Sequence, residues 1–348
     1  MVLKYFTESN SATGYVNIQA ENLVGINQIY HLDSPDNRLV AQLLSALLLS
    51  LQSRKFQPEL IFSTFNPQLL AGIVIRELSV AFTSGNEVPQ NAQVITLSDL
   101  YDGLKIKKKQ AQIDELRLLM DASYQKMTMH LNAALLIHDE WENIYIDRLD
   151  FAKANQFQTD FLARLFGDGV VASNGRSQVV GRFFGTSTPT GLVDFIPELT
   201  AGLRRFLIKG RPGSGKSTLM RAVLAQAVEL GYDADIYYCS LDVKSLDMIV
   251  IPELNICLFD ATAPHEYEPS FLTDEVIDTY ELFIKPTTDE RLASVISGIS
   301  TKYQNQIKQA QAAMRAGHEI RIQINTLYEQ ALIDDRYDAM ITTLVSLV

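Results

Sequence analysis

Short unbroken apolar blocks alternate along the chain with stretches whose apolar residues recur every three or four positions, the pattern of buried strands and packed helices. "RRFLI" from Arg204 predicts a strand, and "KSTLMRAVLAQAVELG" from Lys216 predicts a helix closed by Gly231. "ADIYYCS" and "LNICLFDA" predict two further strands. Two long stretches, 98–166 and 274–347, are helical. In the second, the heptad-like spacing of "ERLASVISGISTKYQNQIKQAQAAMRAGHEIRIQINTLYEQAL" predicts an antiparallel helical pair.

The pattern occurs twice. "GINQIYHLDSPDNRLVAQLL" from Gly25 lies under "GLRRFLIKGRPGSGKSTLMR" from Gly202, with Gly25 facing Gly202 and Pro35 facing Pro212. "STFNPQLLAGIVIRELSVAFTSG" from Ser63 lies under "CSLDVKSLDMIVIPELNICLFDA" from Cys239, and the lead-ins "YFTESNSATGYVN" and "RFFGTSTPTGLVD" agree. A duplicated α/β domain follows, divided near residue 180 beside a linker at 172–178. Each copy, 1–180 and 181–348, is expected to hold a small, mainly parallel sheet and a long α-helical extension. The 348 residues accommodate two domains of roughly 100–200 residues each.

Only the second copy carries a phosphate grip. Gly210, Gly215, Lys216 and Ser217 satisfy G-x-x-x-x-G-K-[ST] between a strand and a helix. Glycines let the backbone turn its N–H groups inward onto phosphate oxygens, and the helix N-terminus adds positive potential. Gly210, Arg211, Pro212, Gly213, Ser214, Gly215, Lys216, Ser217 and Thr218 are therefore the predicted nucleotide-binding residues. Lys216 reaches the terminal phosphates, and Ser217 ligates Mg²⁺. Asp260 ends an apolar strand one step beyond the loop, where a carboxylate holds Mg²⁺ or its water. Asp242 and Asp247, expected at or just after the end of the second strand, would position water or an acceptor. No N/T-K-x-D base-reading motif is present, which favours ATP over GTP.

The first copy lacks all of these together. Asp33 stands at Gly210, Arg38 at Gly215, Leu39 at Lys216 and Val40 at Ser217. Asn66 stands at Asp242, Ala71 at Asp247 and Ser84 at Asp260. The hydrophobic framework stays, so the first copy is expected to be a pseudo-domain. Glu253 has its counterpart in Glu77 and reads as structural, whereas His265 has none and is a further candidate for phosphate contact or catalysis.

The remaining polar features change the picture little. A net charge of −11 argues against broad phosphate-backbone binding, so nucleic acid is not an expected partner. Cys239 and Cys257 sit in apolar runs without C-x-x-C spacing, as inert buried thiols in a reducing cytoplasm would. "MVLKYFTESN" is no signal sequence, and "LLSALLLSL" from Leu43 is too short to cross a bilayer, so a soluble chain is expected. His138–Asp139–Glu140 and His318–Glu319 are adjacent rather than one turn apart, which argues against a metal site. "KIKKK" at 105–109 reads as a solvated helix start. The helical arms are candidates for dimerisation, a lid or partner docking, with Arg291, Arg315 or Arg321 available to reach a γ-phosphate.

With "GTSTPTGLVDF", "FLIKGRPGSGKSTL", "CSLDVKSLDMIVIPEL" and "FDATAPHEYEP", the chain resembles, over nearly its whole length, a largely uncharacterised bacterial family of tandem P-loop ATPases or nucleotide kinases. The resemblance implies two P-loop domains and nucleotide chemistry. Members often carry a usable loop in both halves, and this sequence departs from them at 33–40. Three activities are open: slow Mg²⁺-dependent hydrolysis of ATP or GTP, phosphoryl transfer to a small-molecule acceptor, and nucleotide sensing coupled to a protein partner.

Overall fold

A computed structural model describes residues 2–167 and 177–348, so most of the predicted linker at 172–178 lies outside the described residues. The first half runs β1 (Lys4–Tyr5), β2 (Glu8–Ser11), β3 (Gly14–Asn17), α1 (Gln19–Asn22), β4 (Gln28–Asp33) and α2 (Asn37–Ser53). It continues through β5 (Glu59–Ser63), β6 (Asn66–Ile75), β7 (Val80–Thr83), β8 (Gln93–Thr96), α3 (Gly103–Ile146) and α4 (Phe151–Phe166). The second half runs β9 (Val179–Arg182), β10 (Gly185–Thr188), β11 (Gly191–Asp194), α5 (Ile196–Leu199), β12 (Arg204–Lys209) and α6 (Lys216–Glu229). Then come β13 (Ala234–Tyr238), β14 (Leu246–Ile251), β15 (Ile256–Asp260), β16 (Glu275–Asp278), α7 (Thr279–Phe283), α8 (Thr288–Arg291), α9 (Ala293–Glu329) and α10 (Asp334–Ser346).

Two six-stranded, mostly parallel sheets result, ordered β1-β5-β6-β7-β4-β8 and β9-β13-β14-β15-β12-β16, each accompanied by a two-stranded hairpin. The orders match strand for strand. Related residues also meet: Phe6 and Phe183 exchange backbone hydrogen bonds of 2.9 and 2.8 Å, joining the halves edge to edge. Nearby, Arg182 is 2% exposed and lies between Glu59 at 3.3 Å and Asp235.

The arms depart from the expected hairpin. The second arm opens with the edge strand β16, whose four residues are too few to display a period. Residues 293–329 then form one helix, α9, and its antiparallel partner is α3 of the other copy. Met127 and Leu131 pack on Ala310, Ala313 and Met314, with His130 Nδ1 2.7 Å from Gln306 Oε1. Lys105 does sit in the exposed first turn of α3, capped by Asp102, which accepts from Leu104 N at 2.9 Å.

Because the arms cross, each ends on the opposite sheet. Phe161 and Phe166 of α4 join the core built on α6, with Leu219, Met220 and Val223. Leu344 of α10, with Ile324 and Tyr328 of α9, joins the core built on α2. Backbone bridges Leu149–Ile284 and Tyr101–Leu332 fix both crossings. Among the described residues, no helix is long and apolar enough to cross a membrane.

Candidate functional site

Between β12 and α6 the chain turns through three left-handed glycines, Gly210 (φ 149°), Gly213 (φ 73°) and Gly215 (φ 94°). Two of them are also sterically required. A Cβ on Gly210 would collide with the Thr279 and Ser214 hydroxyls, and one on Gly213 would lie 2.5 Å from the Glu142 carbonyl of α3. Gly215 caps α6, and no side chain fills its first turn. The exposed N–H groups of such a turn attract anions.

The first copy does the opposite at the same place. Asp36, which stands at Gly213, is 3% exposed and accepts from Arg38 N at 2.9 Å, capping α2 with the chain's own carboxylate. Leu39, at the position of Lys216, is a core residue. Arg38 pairs with Glu329 at 2.9 Å over the loop, and the space left measures about 40 Å³. Beside the second copy's loop the cleft measures about 1790 Å³.

All nine predicted loop residues, from Gly210 to Thr218, line that cleft with Asp242, Asp247, Asp260 and His265. Lys216 Nζ donates to the carbonyls of Gly210 (3.2 Å) and Arg211 (3.0 Å) and stands 3.5 Å from Asp260 Oδ2. Asp260 Oδ1 accepts from Thr262 N at 2.9 Å, which fixes the carboxylate at the end of β15. Ser217 Oγ accepts from Leu246 N at 3.1 Å. Asp247 is placed differently from expectation. It lies on β14, one step from the Met248–Phe259 pair and thus beside Asp260. Burial and then the Asp260 charge push its carboxyl up to about 6.

Asp242 closes a turn, accepting from Lys244 N at 3.2 Å and Ser245 Oγ at 3.1 Å. Glu253 accepts from Asp233 N at 3.0 Å, as a structural residue would. The half-buried Cys239 and the buried Cys257 are free, and burial raises both thiols, the latter to about 12. None of Arg291, Arg315 and Arg321 lines the cleft. Arg321 stacks 4.3 Å over Phe65 of the first half. The cleft's arginines are instead Arg211, held by Asp289 at 2.8 Å, and Arg221, whose Nε donates to Ser217 Oγ at 3.4 Å.

The far wall comes from the first copy's arm, through His138, Trp141, Glu142 and Tyr145 of α3, and Tyr145 Oη donates to Asp289 at 2.8 Å. Nothing in the local sequence of α3 marks this role. His138 is one turn from Glu142, not from Glu140, so with Asp139 their ligand atoms lie within 4.8 Å of one another. The spacing argument against a metal site thus fails for His138 with Glu142, while Glu140 and the His318–Glu319 pair stand outside the cluster. Asp194, whose Oδ2 lies 3.1 Å from His265 Nδ1, is marked in the sequence only by the contrast with Asn17 at its counterpart position. No protein-family model, curated protein or solved structure matches the chain.

Proposed function

We propose that the second half binds a nucleoside triphosphate, ATP, with Mg²⁺ and hydrolyses it, while the first half serves as a structural or regulatory partner. Both halves are read as P-loop domains of the tandem family the sequence resembles. One contrast carries the proposal: α6 starts at Lys216 behind three left-handed glycines with no side chain capping its first turn, whereas the Asp36 carboxylate caps its twin α2 from within. An internal carboxylate takes the anion's place in one copy, and backbone donors beside the half-buried Lys216 ammonium suit a phosphate in the other.

Lys216 would exchange its loop carbonyls for phosphate oxygens, and the loop N–H groups would share the charge that grows on them. Ser217 and Asp260 are hard oxygen donors suited to Mg²⁺, which would offset phosphate charge. Asp247 would accept a hydrogen bond from the attacking water. Free Cys239 and Cys257 fit a reducing, cytoplasmic setting.

The cleft's size favours a second reading, phosphoryl transfer to a small acceptor. Ligand pockets usually measure about 300–1,000 Å³, and this cleft is larger. Phosphate release from Mg–ATP without any added acceptor, abolished in Lys216→Ala, supports hydrolysis. Release only at the uncatalysed rate, with transfer when a metabolite pool is supplied, supports the second reading.

A further inference from the structure

His265 is 7% exposed, lines the cleft, and is not used by the chemistry so far described. Its Nδ1 lies 3.1 Å from Asp194 Oδ2, and Asp194 Oδ1 accepts from Tyr267 Oη at 2.6 Å. Phe184 meets the ring edge-on at 4.8 Å and fixes its plane. A carboxylate on Nδ1 keeps the proton there and leaves the Nε2 lone pair available. Nε2 has no hydrogen-bond partner among the described residues. The charged and titratable groups around the ring are Asp194 on β11, Tyr267 beyond it, and Asp247 on β14, whose charge His265 influences.

The duplication separates the structural part of this arrangement from the rest. Asp194 Oδ1 accepts from Ile196 N at 3.3 Å at the start of α5, and Asn17 Oδ1 accepts from Gln19 N at 2.8 Å at the start of α1. A neutral oxygen therefore suffices for the turn. The negative charge of Asp194 and its imidazole partner are found in the half that also keeps the glycine loop and Lys216.

We propose that His265, oriented by Asp194, is the general base for the water that attacks the terminal phosphate. As the water oxygen bonds to the γ-phosphorus, its proton passes to Nε2. The bond between the γ-phosphorus and the bridging oxygen breaks, and its electron pair stays on the β-phosphate of the departing diphosphate. Asp194 stabilises the imidazolium until solvent removes the proton. His265 is thus catalytic and Asp194 a positioning residue. The inference rests on the nucleotide reading above.

The test uses the full chain with Mg–ATP and measures binding by calorimetry separately from phosphate release. His265→Gln is expected to slow release by about 100-fold or more, with ATP affinity within a factor of about three of the parent. Asp194→Asn, which keeps an oxygen for the α5 turn, is expected to slow release by about 10-fold or more while leaving ATP affinity within a factor of about three of the parent, because it disturbs the orientation of the imidazole and not the phosphate grip. If His265→Gln fails to fold, His265→Asn keeps a donor for Asp194 and decides the matter. Parent-like release in the folded His265 variant, or binding lost as steeply as rate, overturns the inference. So does a parent chain that binds ATP but releases no phosphate. A parent chain that binds no ATP instead removes the nucleotide reading, and this inference falls with it.

Discussion

Asp247 shows how a single residue can work against stability at a site. Burial and then the Asp260 charge hold its carboxyl up at about 6 in the folded chain, against an ordinary 3.8. Between those values the folded state holds a proton that the unfolded state has lost, so stability falls as pH rises through this window. Above it the fold carries a desolvated charge beside Asp260. Asp247→Asn is therefore expected to stabilise the protein by about 1–2 kcal/mol near pH 8, a figure discounted for partial exposure, with no gain near pH 3.5. Thermal denaturation at the two pH values checks this, and an equal or lower melting point near pH 8 would contradict it. The duplication marked this residue, since Ala71 replaces it in the copy without the grip. Its place on β14 was not legible, because Leu246–Ile251 pairs antiparallel to β15 through tertiary register rather than local pattern.

At the scale of elements, the contact between α3 and the glycine loop is the feature that couples the two copies. Gly213 and Gly215 both need left-handed backbone, but a Cβ on Gly213 meets the Glu142 carbonyl while one on Gly215 meets nothing within 4 Å. Alanine at either position costs about 1–2 kcal/mol of backbone strain. Gly213→Ala is expected to cost more than Gly215→Ala in urea denaturation because it must also displace α3, and equal losses would argue that α3 does not rest on the loop. These strands and the loop itself were readable, since β12, α6, β13 and β15 each carry a local apolar pattern, and all but β13 stop at a glycine or a carboxylate. The pairing of α3 with α9 was not. Heptad spacing reveals that a helix has a partner face, not which segment supplies the partner.

Across the whole molecule, the two halves are held together by exchanged helices and a buried ionic cluster. Arg182 lies between Glu59 and Asp235, with its guanidinium 4.9 Å over the Tyr5 ring. Burial alone would raise the Glu59 carboxyl, but Arg182 and Arg76 together bring it below its ordinary 4.5. Its contribution to stability is accordingly present above that pH and lost as pH falls further. Arg182→Ala leaves the half-buried Asp235 without its partner and the buried Glu59 with Arg76 alone, and is expected to cost about 3 kcal/mol in chemical denaturation near neutral pH. A loss below about 1 kcal/mol, typical of an exposed pair, would contradict the arrangement. One copy is proposed to keep its phosphate grip, while Asp36 and Leu39 close the same place in the other. Calorimetric titration of the full chain with Mg–ATP tests it most directly. One nucleotide per chain is expected, with binding lost in Lys216→Ala, whereas two per chain, none, or binding that survives Lys216→Ala would contradict it.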